Sequence, residues 1–410
     1  MTVLARLRAL RQHPILLRLV DQGSWSAAFF LFTVSASSSM PTRDFAALTV
    51  VTAIGVIGAA CARAFSMDAR VVAGARAGLT VDHVMSARSV ALTSIVFAVI
   101  ATALSALWIA VGATETSLVP SGLAALIVLA DGPHYLLTLQ RRFRSAIAGA
   151  LPYALVSASA AALLLAGQAV PVVAIWSVGL AVAGVASWIA VLRDRPRPSP
   201  VPGLLGTASR ISAEALYSAL GSQLGILIIY LVAVPAATTG IRLAYSVVFA
   251  PVFSLIQALT PLLLVHMSDL GQRADKARAR AATRWVGAGT AGVIVSGLVG
   301  WIVAATGVAG PNYGHTAAFL IPVGAALLGN LVLDTALLVV RFGNQPSVPH
   351  RVRLVVVTVD LAAQLLLTLT LGLDGLVAAL VGMAVLKSVV AFVAVRTWST
   401  PTPDAERNPL

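Results

Sequence analysis

Apolar residues along this chain fall into twelve long stretches that are separated by short polar breaks. A hydrocarbon core about 30 Å thick is crossed by roughly 20 helical residues, so each stretch is long enough to span a membrane once. The pattern therefore predicts an all-α polytopic membrane protein with about 12 transmembrane helices. The predicted spans are 19–40, 45–67, 86–111, 117–139, 145–166, 170–191, 210–233, 238–266, 284–306, 314–340, 352–372 and 374–396.

The longest polar breaks divide the chain. Arg193 to Pro200 follows the sixth stretch, and its prolines and charges keep it out of a helix and in water. Asp269 to Arg284 favours an interfacial amphipathic helix or an extension of the next span. The predicted organisation is an N-terminal six-helix lobe (1–192), a cytoplasmic linker (193–209), a C-terminal six-helix lobe (210–399) and a disordered tail (400–410).

Positive charge fixes the predicted orientation. Of the 28 Lys and Arg residues, all but Arg43 and Arg242 lie in alternate gaps, beginning with the N-terminus. Cytoplasmic loops retain Lys and Arg whereas translocated loops lose them. We therefore expect a protein of the inner (plasma) membrane with both termini in the cytoplasm.

Composition narrows the class of protein. Charged residues make up 10% of the chain and hydrophobic residues 59%, whereas a soluble domain carries about 25% charged residues. Topology and attraction to anionic lipid account for the net charge of +13, so nucleic acid is not an expected partner. The single cysteine, Cys61, has no partner, and the chain has no phosphate-binding loop or catalytic motif. We expect no enzyme activity, cofactor or metal.

Polar side chains within the spans are candidates for a substrate or ion pathway, because a charge in the bilayer is costly unless it is paired or faces water. Each also has a structural interpretation, as an interfacial cap or a hydrogen bond between helices. Two prolines of the eighth span, Pro251 and Pro261, are candidate hinges. The candidate pathway residues are Asp21, Gln22, Asp131, His134, Glu214, Arg242, Asp334 and Asp360.

Asp131 and His134 share a helix face in the fourth span, with Pro133 between them. A carboxylate beside an imidazole can hold or pass a proton, and it can equally be a structural bond at a proline kink. Asp21 and Gln22 in the first span form a gate or ion site, or a polar cap paired with Arg18.

The second half offers similar alternatives. Glu214 has the same two interpretations as Asp21, with Arg210 as its neighbour, and Asp334 follows Asn330 by one turn. Asp360 and Gln364 are one turn apart in the eleventh span, and Lys387 in the twelfth is their partner or extends to the interface. Arg242 breaks the charge pattern on the outer side and is a candidate phosphate contact.

Three segments carry a resemblance to a known family. They are Asp21 to Phe29, Thr42 to Leu48, and the eighth span from Gly240 through Pro251 to Leu262. The chain resembles polysaccharide-export and O-antigen flippase-like proteins of the multidrug, oligosaccharidyl-lipid and polysaccharide exporter superfamily. One departure is that such proteins often have several cations lining the cavity, and this chain has few deep in the membrane.

The resemblance implies a flippase that moves a polyprenyl-pyrophosphate-linked oligosaccharide by alternating access between two lobes. Its implied partners are the lipid-linked glycan, membrane lipids, and a glycan polymerase or glycosyltransferases. The first alternative is a cation-coupled drug or metabolite antiporter, which suits a membrane interior where acids outnumber bases. A scaffold for a glycan-synthesis complex is the second. A membrane glycosyltransferase would need an acid-rich loop, and the outer loops here are short.

Overall fold

The computed structural model describes residues 14–40, 42–111, 120–193, 199–232, 241, 244–269, 275–306, 316–342 and 348–398. Within these ranges all regular structure is helical. Eight helices of the described chain are long and apolar enough to cross a membrane, the first at Val50–Arg76 and the last at Val348–Thr397. The prediction of an all-α polytopic membrane protein is confirmed.

The first half of the chain contains six long helical segments. The second of them continues through a π-helical turn, Ala64–Asp68, into a further helix, so it is longer than predicted. The helices are α1 (Pro14–Ser39), α2 (Thr42–Arg63), α3 (Ala69–Arg76), α4 (Val81–Val84), α5 (Ala87–Val111), α6 (Gly122–Leu139), α7 (Phe143–Leu165) and α8 (Val172–Arg193).

The second half also contains six long segments, because α13 is interrupted at Gly372, where φ is 63° and ψ is −134°. Glycine adopts this left-handed backbone without the clash that a side chain would cause. The helices are α9 (Leu204–Val232), α10 (Ala250–Asp269), α11 (Asp275–Thr306), α12 (Leu320–Arg341) and α13 (Val348–Trp398), with a π-helical turn at Ala244–Val248 and a 3₁₀ turn at Ala317–Phe319.

Each of the twelve predicted spans overlaps one of these segments. Two boundaries differ from the prediction. Helix α9 begins at Leu204, inside the predicted linker, and α11 begins at Asp275, so the helical extension is the correct alternative for that part of the basic segment. The predicted tail, 400–410, lies outside the described residues.

The extension of α11 has a defined contact. Arg278 is buried, and its Nη1 donates a hydrogen bond to the carbonyl of Phe342 at 3.3 Å, with the guanidinium 5.8 Å from the Phe342 ring centroid. Phe342 is the first residue after α12. A cation at the C-terminal end of a helix satisfies carbonyls that have no intrahelical partner and complements the helix dipole.

The chain divides into two compact units, one of Met1–Leu216 with Ser254–Val265 and the other of Tyr217–Phe253 with His266–Leu410. In the first unit, α1 packs on α7, α2 on α5 and α6, and α8 on α6 and α7. In the second, α12 packs on α13 and α11. In both units small residues let helix backbones approach closely, as is usual in membranes, where apolar lipid gives helices no hydrophobic reason to associate.

Substitution of Gly329 tests one of these close contacts. A Cβ atom at Gly329 would lie 2.7 Å from Cα of Ala384, on the second half of α13. Because backbone rather than a flexible side chain is in the way, we expect Gly329→Ala to lower the free energy of unfolding by about 1–3 kcal/mol. Thermal unfolding of the purified protein in detergent measures the change.

The matched control is Gly382→Ala in α13. A Cβ atom there meets nothing within 4 Å, so the better helix propensity of alanine should leave stability equal or slightly higher. Equal melting temperatures for the two variants would contradict the packing of α12 on α13.

Candidate functional site

A buried polar cluster joins α1 to α6 in the first unit. The Asp21 cluster, as we name it, consists of Arg18, Asp21, Gln22, Trp25 and His134. Asp21 has no exposed surface; its Oδ2 accepts a hydrogen bond from Arg18 Nη1, and its Oδ1 lies 2.7 Å from His134 Nε2. Arg18 Nη2 also donates to Gln22 Oε1 at 3.1 Å. The spacing of three and four residues places the α1 members on one face of the helix.

The aromatic member holds the imidazole in place. The Trp25 ring stacks on the His134 ring, with the ring centroids 4.4 Å apart and the planes 13° from parallel. Trp25 in turn meets Tyr153 of α7 edge to face, with the centroids 5.1 Å apart. His134 is therefore fixed on its face by Trp25 and at Nε2 by Asp21, which sets its orientation.

The charges of the Asp21 cluster depend on one proton. Arg18 and Asp21 cancel each other, so the cluster is neutral with neutral His134 and carries one positive charge with the imidazolium. Arg18 and His134 are, like Asp21, almost fully buried, and the local dielectric is low.

A second ion pair joins α2 to α6. Arg63 Nη1 lies 3.3 Å from Asp131 Oδ1, and the two side chains are 29% and 16% exposed. The Arg63 guanidinium also lies over the ring of Tyr135, 5.0 Å from its centroid, and Tyr135 donates a hydrogen bond to Asp68 at 3.0 Å. The buried Oδ2 of Asp131 has no hydrogen-bond partner.

The predicted pairing of Asp131 with His134 is wrong. The two residues share α6, but His134 reaches α1 and Asp131 reaches α2, because each finds a charged partner on a different neighbouring helix. Asp68 ends the π-helical turn Ala64–Asp68, which directly follows Arg63. Single π turns inside α-helices are frequent at functional sites.

The second unit contains two further ion pairs. Asp360 pairs with Lys387 Nζ through Oδ2 and accepts a hydrogen bond from Gln364 at 2.8 Å, as the one-turn spacing predicted, and all three residues are buried. Asp334 pairs with Arg353 of α13, a partner that the sequence did not suggest. The Asp334 side chain is 48% exposed, whereas that of Arg353 is buried.

Glu214 is buried in α9. Pro251 is the second residue of α10, where a helix tolerates proline, and the interruption of the eighth span lies just before it, at Phe249. Helix α10 continues through Pro261. Arg242 lies outside the described residues, so its role as an anion contact stays a prediction.

Asp21, Asp131, Asp334 and Asp360 each have a cationic partner: Arg18, Arg63, Arg353 and Lys387, respectively. The Arg18 and Lys387 contacts had a signal in the sequence. The Arg63 pair had no such signal, since its members are 68 residues apart. Among the described residues, no group of three or more His, Cys, Asp or Glu side chains could hold a metal ion.

The two ion pairs of the first unit should respond differently to removal of the acid. Asp21→Ala leaves Arg18 buried without its counter-ion, and we expect it to lower stability by about 3–5 kcal/mol. Asp131→Ala removes a partly exposed pair, and we expect about 1 kcal/mol or less. Thermal unfolding in detergent measures both.

The double variant Arg18→Met/Asp21→Leu is the control for charge. It removes both charges and keeps apolar volume, so it should recover most of the stability that Asp21→Ala loses. If the double variant is as unstable as Asp21→Ala, uncompensated charge is not the cause.

Comparison with protein-family models gives no match, and comparison with curated protein sequences gives none either. Solved structures do match over nearly the whole chain. An outward-facing multidrug resistance MATE family transporter of the MOP superfamily is 15% identical, with a TM-score of 0.68 and coverage of 98% of each chain. A MATE in the straight conformation is 14% identical, with a TM-score of 0.66, and covers 95% of this chain and 98% of its own.

A third similar structure is a MOP superfamily transporter from Pyrococcus furiosus, described as having a binding pocket of reverse polarity that suggests a different function. It is 15% identical, with a TM-score of 0.66, and covers 96% of this chain and 98% of its own. The fold class is confirmed: this chain has the fold of these MATE transporters.

Proposed function

We propose that this membrane protein is a flippase that moves a polyprenyl-pyrophosphate-linked oligosaccharide to the outer leaflet for the synthesis of cell-surface polysaccharide. It would lie in the inner membrane with both termini in the cytoplasm, and its two six-helix lobes, 1–192 and 210–399, would open alternately to each side. The lipid-linked glycan and membrane lipids are its partners in this proposal, with a glycan polymerase or glycosyltransferases beside it and no nucleic acid.

The ion pairs are the observation that favours an anionic cargo over a cationic one. A site for a cationic drug needs carboxylates that are free to bind it, and Asp21, Asp131, Asp334 and Asp360 already have cationic partners. A pyrophosphate can instead compete with a carboxylate for a guanidinium group, because it offers more oxygens in a geometry that suits bidentate binding. The Arg63–Asp131 pair is the partly exposed pair of the first unit, and Tyr135 beside it adds a polarised ring.

The Asp21 cluster supplies coupling in this proposal. Protonation of His134 adds a charge between α1 and α6, so the two states of the transporter would differ in energy by an amount that depends on the proton. A ligand or proton shifts a conformational equilibrium only by its difference in affinity for the two states. Pro251 and Pro261 are the proposed hinge positions of the eighth span.

The second candidate is a cation-coupled drug or metabolite antiporter. The similarity to an outward-facing multidrug resistance MATE transporter favours it, since the two chains match over 98% of their lengths. The same fold also includes a transporter whose pocket polarity is described as reversed. Because one fold includes both kinds of pocket, the charge of the site is a better guide to the cargo than the fold is.

Deletion of the gene for this protein separates the two candidates. We expect polyprenyl-linked glycan to accumulate and surface polysaccharide to fall, with unchanged susceptibility to cationic drugs. Mass spectrometry of extracted lipids, polysaccharide assays and drug susceptibility measure the three quantities. Normal glycans with higher sensitivity to cationic compounds would support the antiporter and exclude the flippase.

Complementation of the same deletion strain with variants tests the role of the Arg63–Asp131 pair. The variant Arg63→Gln/Asp131→Asn keeps a neutral hydrogen-bonding pair, so we expect it to reach the membrane and to leave glycan flipping reduced about tenfold or more. The control is Val99→Ala, at an exposed apolar position of α5, which should restore wild-type levels.

The proposed orientation has a simple test, because Cys61 is the only cysteine. In a Cys61→Ser background, Gln168→Cys places a thiol in the proposed outer turn between α7 and α8, and Ser209→Cys places one at the proposed inner end of α9. A membrane-impermeant thiol reagent applied to intact cells should label the first and spare the second. The opposite labelling would reverse the topology.

A further inference from the structure

The beginning of α13 has an unusual distribution of charge. Its first two turns contain His350, Arg351 and Arg353, and its first turn contains no acid. The N-terminus of a helix is the positive end of its dipole, where acidic side chains are normally favoured and basic ones are not. The basic side chains therefore add to the positive potential of the helix end, and the potential favours an anion there.

Two buried nitrogen atoms at this helix end have no partner. Arg353 is 6% exposed, and its Nε makes no hydrogen bond; the buried Nδ1 of His350 makes none either. The two residues are three positions apart and lie on the same face of α13. The Tyr217 ring lies 5.7 Å from the His350 ring, centroid to centroid. Buried polar atoms normally have partners and Arg Nε is always a donor, so the unpaired Nε of Arg353 indicates a missing acceptor.

Asp334 supplies an incomplete substitute for that acceptor. Its Oδ1 pairs with Arg353 Nη2, while about half of the Asp334 side chain is exposed. It carries a single charge and leaves Arg353 Nε without an acceptor. A phosphate group has three or four oxygens and more charge, and guanidinium groups bind it through two parallel hydrogen bonds.

We propose that the N-terminus of α13 is a binding site for the phosphate group of a lipid. Arg353 is the side-chain donor, His350 lies beside it on the same face, and Asp334 is an internal carboxylate that phosphate displaces. Two sources share this chemistry: the headgroup of an anionic phospholipid and the pyrophosphate of a polyprenyl carrier. The site goes beyond the proposed glycan transport, because a phospholipid would occupy it whatever the cargo.

Binding measurements on the purified full-length protein in neutral detergent test the site. The probes are phosphatidylglycerol and polyprenyl pyrophosphate, and their controls without phosphate are diacylglycerol and polyprenol. Native mass spectrometry or thermophoresis gives the dissociation constant for each. We expect the phosphate-bearing lipids to bind and the controls to bind at least about tenfold more weakly.

Three variants separate this site from general surface charge. Arg353→Gln/Asp334→Asn keeps a neutral pair and should weaken binding about tenfold or more. Asp334→Asn removes the competing carboxylate and should strengthen binding about threefold or more, the opposite of what a damaged fold would give. Arg351→Gln, at an exposed position of the same turn, should change binding less than about twofold.

Each outcome decides a point. If Asp334→Asn strengthens binding of phosphatidylglycerol alone, the ligand is the phospholipid headgroup. If it strengthens binding of polyprenyl pyrophosphate alone, the ligand is the carrier. Stronger binding of both lipids shows that the site recognises the phosphate they share. Unchanged binding in both Asp334 variants, or an equal loss in Arg351→Gln, overturns the site. A normal glycan profile in the deletion strain, together with the Asp334→Asn gain, would exclude the flippase and leave this site standing.

Discussion

Pairing of buried charge is the constraint on which the described interior depends. A lone carboxylate or guanidinium in hydrocarbon is unfavourable by several kcal/mol, and removing one partner of a buried pair leaves that energy uncompensated. Asp21, Asp131, Asp334 and Asp360 each lie against a cation, and three of these four pairs join different helices or the two halves of α13. The pairs therefore specify which helices are neighbours as well as satisfying charge.

The pairs differ in how firmly they are held. Asp21 and Arg18 lie one turn apart on α1, fully enclosed, and His134 is added from α6 under the Trp25 ring. The pair of Asp131 with Arg63 and that of Asp334 with Arg353 each retain an exposed side chain. In an enclosed pair, charges interact strongly because little water screens them. A partly exposed pair can exchange its carboxylate for another anion.

Much of the fold was predictable, because the bilayer imposes one length on every span. The predicted end of the eleventh span, at 372, is the residue where α13 is interrupted, and Gly372 is a residue that allows this backbone. The candidate acids were also visible, because charge is rare in apolar stretches. Partners one turn away were visible, as with Asp360 and Gln364. Lys387 was a candidate partner because cations are also rare in apolar stretches. The pairing of Asp131 with His134 was wrong because a helix face shows which residues can meet along a helix and not which neighbouring helix will face them.

The sequence by itself determined the number of spans, the positions of the turns and the residues that carry charge into the membrane, because these follow from hydrophobic length and backbone chemistry. The tertiary structure alone decided that Arg63 meets Asp131, that His134 meets Asp21 and that Arg353 meets Asp334. Their separations of 68, 113 and 19 residues leave no local pattern, since contact between helices depends on which faces pack and how closely small residues let the backbones approach.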